Sequence, residues 1–451
     1  MHGFMIAADR SGSGKTTVTS AVMLSLKEKG YSVCPFKCGP DYIDPMYHSV
    51  ITGVPGHNLD TFFTDEDTTR QVFARDLADA LEDNRIAIAE GVMGLYDGVT
   101  GFKPEGSSYD LARVLGMPII LCINARGAAQ TLLSVISGIL SFDKEGLIRG
   151  IFLNQVSDGF APLISERIEE AFGIPVVGHF PVTDEVRVDS RHLGLLKPDD
   201  FDEKNQDEAL LRLVDKRVNI DMIYKISEMP DADFTGSEAP SHKLKLALAK
   251  DEAFDFFYRE NEIMLQDLGA EIVYFSPIHD SALPDDIDGL ILPGGYPELY
   301  AGELADNRSM TESVRDAYTN ALPMLAECGG FMYLHRSVDG SGPLVNLFGG
   351  DCHNTGRSVR FGYLSCYDKA HYFVKEGQRI KGHEFHYYDM DDVGHDAIAE
   401  KPYSDRRREL GYVDMWSFLS FAHFYYPSYP EFAEHFMEGV REHARRRSLQ
   451  K

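Results

Sequence analysis

The chain is short of positive charge and of long apolar runs. Its 44 Lys and Arg face 71 Asp and Glu, a formal net charge of −27. A surface of that sign repels an extended phosphate backbone, so no nucleic-acid partner is expected. A small anion held by a local glycine loop is not excluded. No stretch reaches the roughly 18 apolar residues that span a bilayer. The opening "MHGFMIAADR" combines neither the basic segment nor the long apolar segment of a secretory leader. Six cysteines in 451 residues make no disulfide framework, which points to a reducing compartment. The expectation is a cytoplasmic protein with no membrane partner. Cys34 and Cys38 stand as C-x3-C without a second matching pair, so no zinc or iron–sulfur site is expected there. There is one tryptophan, Trp416, a core residue in the simplest reading, and no internal repeat.

What is present is ordinary for a soluble globular enzyme of two or three domains: 43% hydrophobic and 25% charged residues. Short runs rich in Val, Ile and Leu recur at 3–8, 31–37, 85–91, 117–124 and 148–156, separated by helical or loop-like segments. That alternation predicts a parallel sheet covered by helices. The rhythm breaks in the charged stretch after 198, and "EMPDADFTGSEAPSHK" (228–243) has the Pro, Gly, Ser and acidic content of a linker. It restarts at 243–251, 270–276 and 287–295. The fold expected is α/β in two domains, 1–227 and 244–451, joined by 228–243.

"DRSGSGKTT" (9–17) follows the first strand and opens the first helix. Gly12 and Gly14 let successive amides turn toward an anion, and the helix N-terminus adds its positive end. Lys15 would reach the β/γ-phosphates and the Thr16 hydroxyl would ligate Mg²⁺, with Thr17 beside them. The strict phosphate-loop pattern requires Gly at position 9, where this chain has Asp9. The loop is therefore a variant, expected to bind ATP.

Two acidic segments follow later strands, "KCGPDYIDPMYH" (37–48) and "EGVMGLYDG" (90–98). Strand C-termini are where α/β sheets build their sites. Singly, an acidic loop residue is most simply solvated. Together, Asp41, Asp44, Glu90 and Asp97 could gather around the γ-phosphate and hold a cation.

"PFKCGPDYIDPMYH", the variant loop and "EGVMGLYDG" closely resemble the cobyrinic acid a,c-diamide synthase family, whose amidating domain is related to dethiobiotin synthetase. The resemblance runs over most of the chain. It implies an N-terminal P-loop NTPase fold and ATP-dependent amidation of the a and c carboxylates of a tetrapyrrole through an acyl phosphate. It assigns Asp41, Tyr42, Asp44, Glu90 and Asp97 to substrate and phosphoryl transfer, and Thr16, Asp41 and Glu90 to the metal. Asn154 in "FLNQV" looks like the family's adenine-side asparagine.

Farther on, "LILPGGYPELY" (290–300) ends a strand with Gly294 and Gly295, whose amides could donate to an oxyanion. "AECGGFMYL" (326–334) places Cys328 at a strand end before Gly329 and Gly330, the logic of a displayed nucleophile. The helix after it is expected to lower the thiol pKa. His423 follows the apolar run in "SFLSFAHFYYP", and a thiol with a distant histidine is a recurrent nucleophilic pair.

These landmarks resemble the class I glutamine amidotransferase domain in its cobyrinate branch. The resemblance implies a γ-glutamyl thioester on Cys328, His423 as base and then acid, and an oxyanion held by Gly294, Gly295 and Gly329. The wider class carries Glu two residues past the histidine, where this chain has Tyr425, so the third member of the triad is absent or comes from elsewhere. His383 and His386 in "KGHEFHYYDM" are too weak a pattern for a metal site, and the basic tail reads as a solvated helix end.

Glutamine and a tetrapyrrole are thus the expected partners, with cobyrinate, hydrogenobyrinate and Ni-sirohydrochlorin as candidate macrocycles, and a homodimer is allowed. Cobyric acid synthase differs in its N-terminal fingerprints. From another class, a P-loop switch protein fused to a degenerate amidotransferase-like binding module would have lost the thiol, and Cys328 is present.

Overall fold

Residues 1–80, 84–183, 203–232 and 244–450 are described by the structure, a computed structural model. The chain divides into two units, Met1–Gly236 and Ser237–Lys451.

In the first unit seven strands form one parallel sheet: β1 (His2–Ala8), β2 (Ser32–Cys38), β3 (His57–Leu59), β4 (Arg85–Glu90), β5 (Ile119–Asn124), β6 (Ile148–Asn154) and β7 (Val176–Phe180). Their spatial order is β3-β2-β4-β1-β5-β6-β7. Side chains alternate across a strand, so near-continuous apolar runs are needed when helices cover both faces. Met5, Ala87, Leu121 and Ile151 pack into one core. Phe4, Ile6, Ile88, Ile120 and Phe152 pack into the other. The two edge strands, β3 and β7, have no counterpart among the expected runs. Helix α1 (Lys15–Glu28) follows β1, and α2 (Ile43–Thr52) follows β2.

The stretch read as a linker begins inside this unit. Met229 is buried, its amide donates to the Met1 carbonyl at 3.0 Å, and Glu228 bridges to His2. Residues 228–232 are held by that short ladder, which their polar composition does not reveal. Residues 233–243 lie outside the described residues.

The second unit repeats the architecture. Its six-stranded sheet contains β8 (Leu244–Ala249), β10 (Ala270–Phe275), β11 (Gly289–Leu292) and β13 (Met324–Glu327), with strands Phe418–Ser420 and Tyr412–Val413 completing it. Only Tyr412–Val413 runs antiparallel. A separate ribbon pairs β9 (Phe254–Phe256) with β12 (Gly294–Gly295). A five-stranded antiparallel sheet takes in Arg360–Asp368, Ile380–His386 and His423–Phe424. The chain leaves the parallel sheet at Ser420 and joins the antiparallel one at His423, so this histidine stands at a junction of two sheets. The basic tail lies on helix Glu431–Gln450, where Arg447 pairs with Asp286 at 2.9 Å and Asp288 at 2.8 Å. It is anchored more firmly than a solvated end. Trp416 stacks on His435 with ring centroids 5.0 Å apart.

Candidate active sites

Helix α1 starts without a side-chain cap and with no acidic residue in its first turn. Its first amides are therefore open toward an anion. Gly12 and Gly14 take left-handed φ of 76° and 89°. Gly14 is fixed twice over, because a Cβ there would lie 2.1 Å from the Asn154 amide nitrogen. Asn154 donates to the Ser13 carbonyl at 2.8 Å and braces the loop. Asp9, the departure from the strict pattern, accepts from the Ser13 hydroxyl at 2.6 Å. Lys15 donates to the Met93 carbonyl at 2.6 Å, and burial lowers its pKa. Thr17 lies in the first turn of α1.

Glu90, the last residue of β4, is the hub of the acidic group. One of its oxygens accepts from the Thr16 hydroxyl at 2.7 Å and from Lys37 at 3.1 Å. The other is 3.0 Å from Nε2 of His48. Lys37 also pairs with Asp44 and lies 3.7 Å from Asp41. Burial alone would push Lys37 down, but Asp44, Glu90 and Asp41 hold its pKa well above normal. Burial alone would push Glu90 up, but Lys37, His48 and Thr16 hold it below the usual carboxylate range. Burial and the neighbouring Asp41 and Glu90 push Asp44 up.

The structure thus brings together Thr16, Asp41, Asp44 and Glu90. Asp41 accepts the amides of Ile43 and Asp44 at 2.9 and 3.1 Å, tying the entrance of α2. Tyr42 occupies the N-cap of that helix. Asp97 accepts the Gly94 amide at 3.0 Å and closes its own turn.

In the second unit β13 ends at Glu327, and Cys328 bends the chain with φ 45° and ψ −105° before the short helix Gly329–Tyr333. A non-glycine residue held there stores strain, as at other displayed nucleophiles. The glycines are required by close approach. A Cβ on Gly330 would lie 2.1 Å from the Leu292 carbonyl oxygen, and one on Gly329 would lie 2.8 Å from Cδ of Pro297. The elbow is pressed against the β11–β12 segment, so the two glycine motifs are halves of one contact. The Gly329 amide faces the Cys328 sulfur. Gly294 and Gly295 are aligned by pairing with Phe256 and Phe254.

The expected lowering of the thiol pKa does not hold. Burial pushes Cys328 up, and Glu298 and Glu384 push in the same direction. The helix after it has only five residues, too few to offset that burial. Glu298 itself is pushed up to about 7 by burial.

His423 is buried against Gly294, where a Cβ would lie 2.3 Å from the ring Cε1. His383 stacks on it, ring centroids 4.9 Å apart at 12°, and Nδ1 of His383 meets the Tyr258 hydroxyl at 3.0 Å. Tyr425 is buried edge-on to Tyr258 and supplies no acid. A carboxylate does approach the imidazole: Oε2 of Glu327 lies 3.7 Å from Nδ1 of His423. His386 is held by the Tyr388 carbonyl at 2.7 Å, and Glu384 pairs with Arg408. That segment serves as packing and ion pairing.

Sequence reasoning missed Lys37, His48 and Glu327. Lys37 is the penultimate residue and Glu327 the last residue of an apolar strand inside the quoted motifs, and a buried charged residue at a strand's C-terminal end was the available signal.

Two family models cover most of the chain. Residues 4–196 match the CobQ/CobB/MinD/ParA nucleotide binding domain. Residues 245–417 match the CobB/CobQ-like glutamine amidotransferase domain. The cobyrinate a,c-diamide synthase of Thermoplasma volcanium is 36% identical over 99% of this chain and 98% of its own. That of Caldanaerobacter subterraneus subsp. tengcongensis is 35% identical over 96% and 97%. That of Picrophilus torridus is 34% identical over 97% and 98%. A P-loop nucleotide-binding unit and a class I amidotransferase unit thus share one chain, the composition of a glutamine-dependent amidating ligase. With full-length identity at this level, the chain belongs to the cobyrinate a,c-diamide synthase family.

Proposed function

We propose that the protein converts the a and c side-chain carboxylates of a tetrapyrrole, cobyrinate, into amides, using ATP and the ammonia released from glutamine. The observation that carries this reading is the pairing of two sites. An uncapped phosphate loop has its Thr16 hydroxyl on Glu90, and a strained thiol elbow is packed against the segment that holds His423. Relatives of nearly the full length are named for the same product.

A carboxylate is a poor electrophile, so its oxygen first takes the γ-phosphoryl group of ATP and ADP leaves. Ammonia then attacks the acyl carbon, and phosphate departs with the C–O electrons. The amides at Gly12 and Gly14, with Lys15, Thr16 and Thr17, would hold the phosphates, and Asn154 the adenine side. Asp41, Tyr42, Asp44 and Asp97 would orient the reacting carboxylate. Thr16, Asp41 and Glu90 offer the hard oxygen donors that suit Mg²⁺, which would neutralise charge on the phosphates. Lys37, held charged amid three carboxylates, helps draw Glu90 below the usual carboxylate range.

At the other site Cys328 attacks the glutamine amide carbon and His423 takes the thiol proton. The amides of Gly294, Gly295 and Gly329 face the oxyanion, and ammonia leaves carrying that proton. Water then hydrolyses the thioester to glutamate. Because burial raises the thiol pKa, no standing thiolate is stored, and proton transfer to His423 accompanies attack.

The test is glutamine-dependent ATP hydrolysis and amide formation, with cobyrinic acid and nickel sirohydrochlorin offered separately. Cys328→Ser should abolish glutamine use by about 1,000-fold or more and retain synthesis from free ammonia. If the variant keeps glutamine-driven synthesis, the thioester route is wrong. If only the nickel macrocycle is amidated, the substrate changes and the chemistry stands.

A further inference from the structure

His423 needs an orienting partner, and the position two residues on is Tyr425, which is buried against Tyr258. An imidazole that takes a proton on one nitrogen is made effective by an acceptor at the other. Three groups meet the ring. Gly294 of β12 touches its edge, and His383 stacks on its face. Glu327 of β13 stands 3.7 Å from Nδ1. His383 cannot be the counter-charge, because burial and His423 itself hold its pKa well below normal.

Glu327 is also fixed in place. Its Oε1 accepts the Phe424 amide at 3.4 Å. The segment bearing His423 is clamped in turn by Asn261. That side chain donates to the Phe424 carbonyl at 2.8 Å and accepts from the Tyr426 amide at 2.7 Å. Carboxylate and imidazole therefore meet across two fixed backbones. With the carboxylate at Nδ1, Nε2 is the nitrogen assigned to take the thiol proton.

We infer that Glu327, the residue immediately before the nucleophile, is the positioning acid of the amidotransferase site and does the work that other triads assign to the residue two beyond the histidine. It selects the tautomer with the proton on Nδ1 and stabilises the imidazolium formed when Sγ loses its proton to Nε2. No bond to Glu327 forms or breaks. The inference rests on the reading of Cys328 and His423 above.

The experiment compares the full-length enzyme with its Glu327→Gln, Glu327→Asp and Cys328→Ser variants. Glutamine-driven and ammonia-driven amidation are each followed against pH. Glu327→Gln is expected to lose about 100-fold or more in glutamine-driven kcat, with KM for glutamine changed less than about threefold. The acid limb of its pH–rate profile should shift, Glu327→Asp should recover part of the rate, and ammonia-driven synthesis should persist. A Glu327→Gln enzyme within about threefold of wild type, with an unchanged pH profile, overturns the inference. So does a parallel loss of ammonia-driven synthesis in both Glu327 variants, which would mark a structural residue. If Cys328→Ser keeps glutamine use, the underlying reading falls. If Cys328→Ser is inactive and Glu327→Gln is not, only the positioning role falls.

Discussion

Glu90 and Glu327 occupy equivalent places in the two units. Each is the last residue of an inner strand of a parallel sheet, and each is buried. Their electrostatics are opposite. Glu90 is drawn below the usual carboxylate range because Lys37, His48 and the Thr16 hydroxyl outweigh its burial. Glu327 is pushed up, because burial exceeds the combined help of His423, the Phe424 amide and the Tyr426 hydroxyl. The same backbone position thus yields a permanent anion in one unit and an acid sensitive to its histidine in the other. What differs is one buried lysine.

The sharpest way to break the comparison is to remove that lysine. Lys37→Met would leave Glu90, Asp44 and Asp41 facing one another without their cation. Stripping one partner from a buried charge group costs about 3–5 kcal/mol. The expected result is a large drop in the melting temperature of the nucleotide-binding unit and loss of ATP hydrolysis. A variant melting with wild type would show that the carboxylates do not depend on Lys37.

A smaller effect tests the opposite signs directly. Glu90 is depressed in the fold, so its stabilisation is present above the usual glutamate value of about 4.3 and is lost as pH falls through the folded value. Glu327 is raised, so its favourable contribution is present below about 4.3 and is lost as pH rises through the folded value. At neutral pH, Glu90→Gln should therefore destabilise, while Glu327→Gln should melt at or above wild type. The Glu327 difference should shrink as pH falls toward 4, whereas the Glu90 difference should hold until pH drops below about 4.3. Thermal melts at pH 7.5 and pH 5 read this, and a Glu327→Gln enzyme as destabilised as Glu90→Gln would erase the contrast. Stability retained with activity lost is the pattern of a group kept for function.

The smallest effect belongs to pairs that share neither burial nor function. Arg167→Ala breaks the exposed pair with Glu170, 3.0 Å apart, and should change stability by less than about 0.5 kcal/mol. A larger change would mean that exposed pairs in this acidic chain carry more than their geometry suggests.

The parallel sheets were legible because a strand covered on both faces must be apolar at every position. β1, β4 and β5 stand out for that reason alone. β3 has three residues and carries His57 and Asn58, so no run announces it. The antiparallel strands between Arg360 and Phe424 mix buried and exposed positions, which mutes the pattern. Among site residues, Lys15 and Cys328 could be found because their glycine contexts are local. Lys37 and Glu327 could not be assigned, because their partners lie across the sheet: Lys37 sits beside Glu90 in the β2–β4 register, and Glu327 reaches a histidine on another sheet. Spacing along a chain carries no record of such neighbours. The cost of burying Cys328 was hidden for the same reason, since Glu298 and Glu384 approach from distant segments.

The missing side chain at Gly294 has a dynamic consequence. The Cε1 edge of His423 occupies the space a methyl group would need, 2.3 Å from where that carbon would sit. With His383 on its face, the ring is pinned on two sides and has almost no rotamer freedom left to lose. A half-turn about Cβ–Cγ, which would put carbon where each nitrogen now stands, would have to sweep the ring past Gly294 and His383. The base therefore waits in one orientation through every turnover, and the entropy of aiming it was spent when the domain folded.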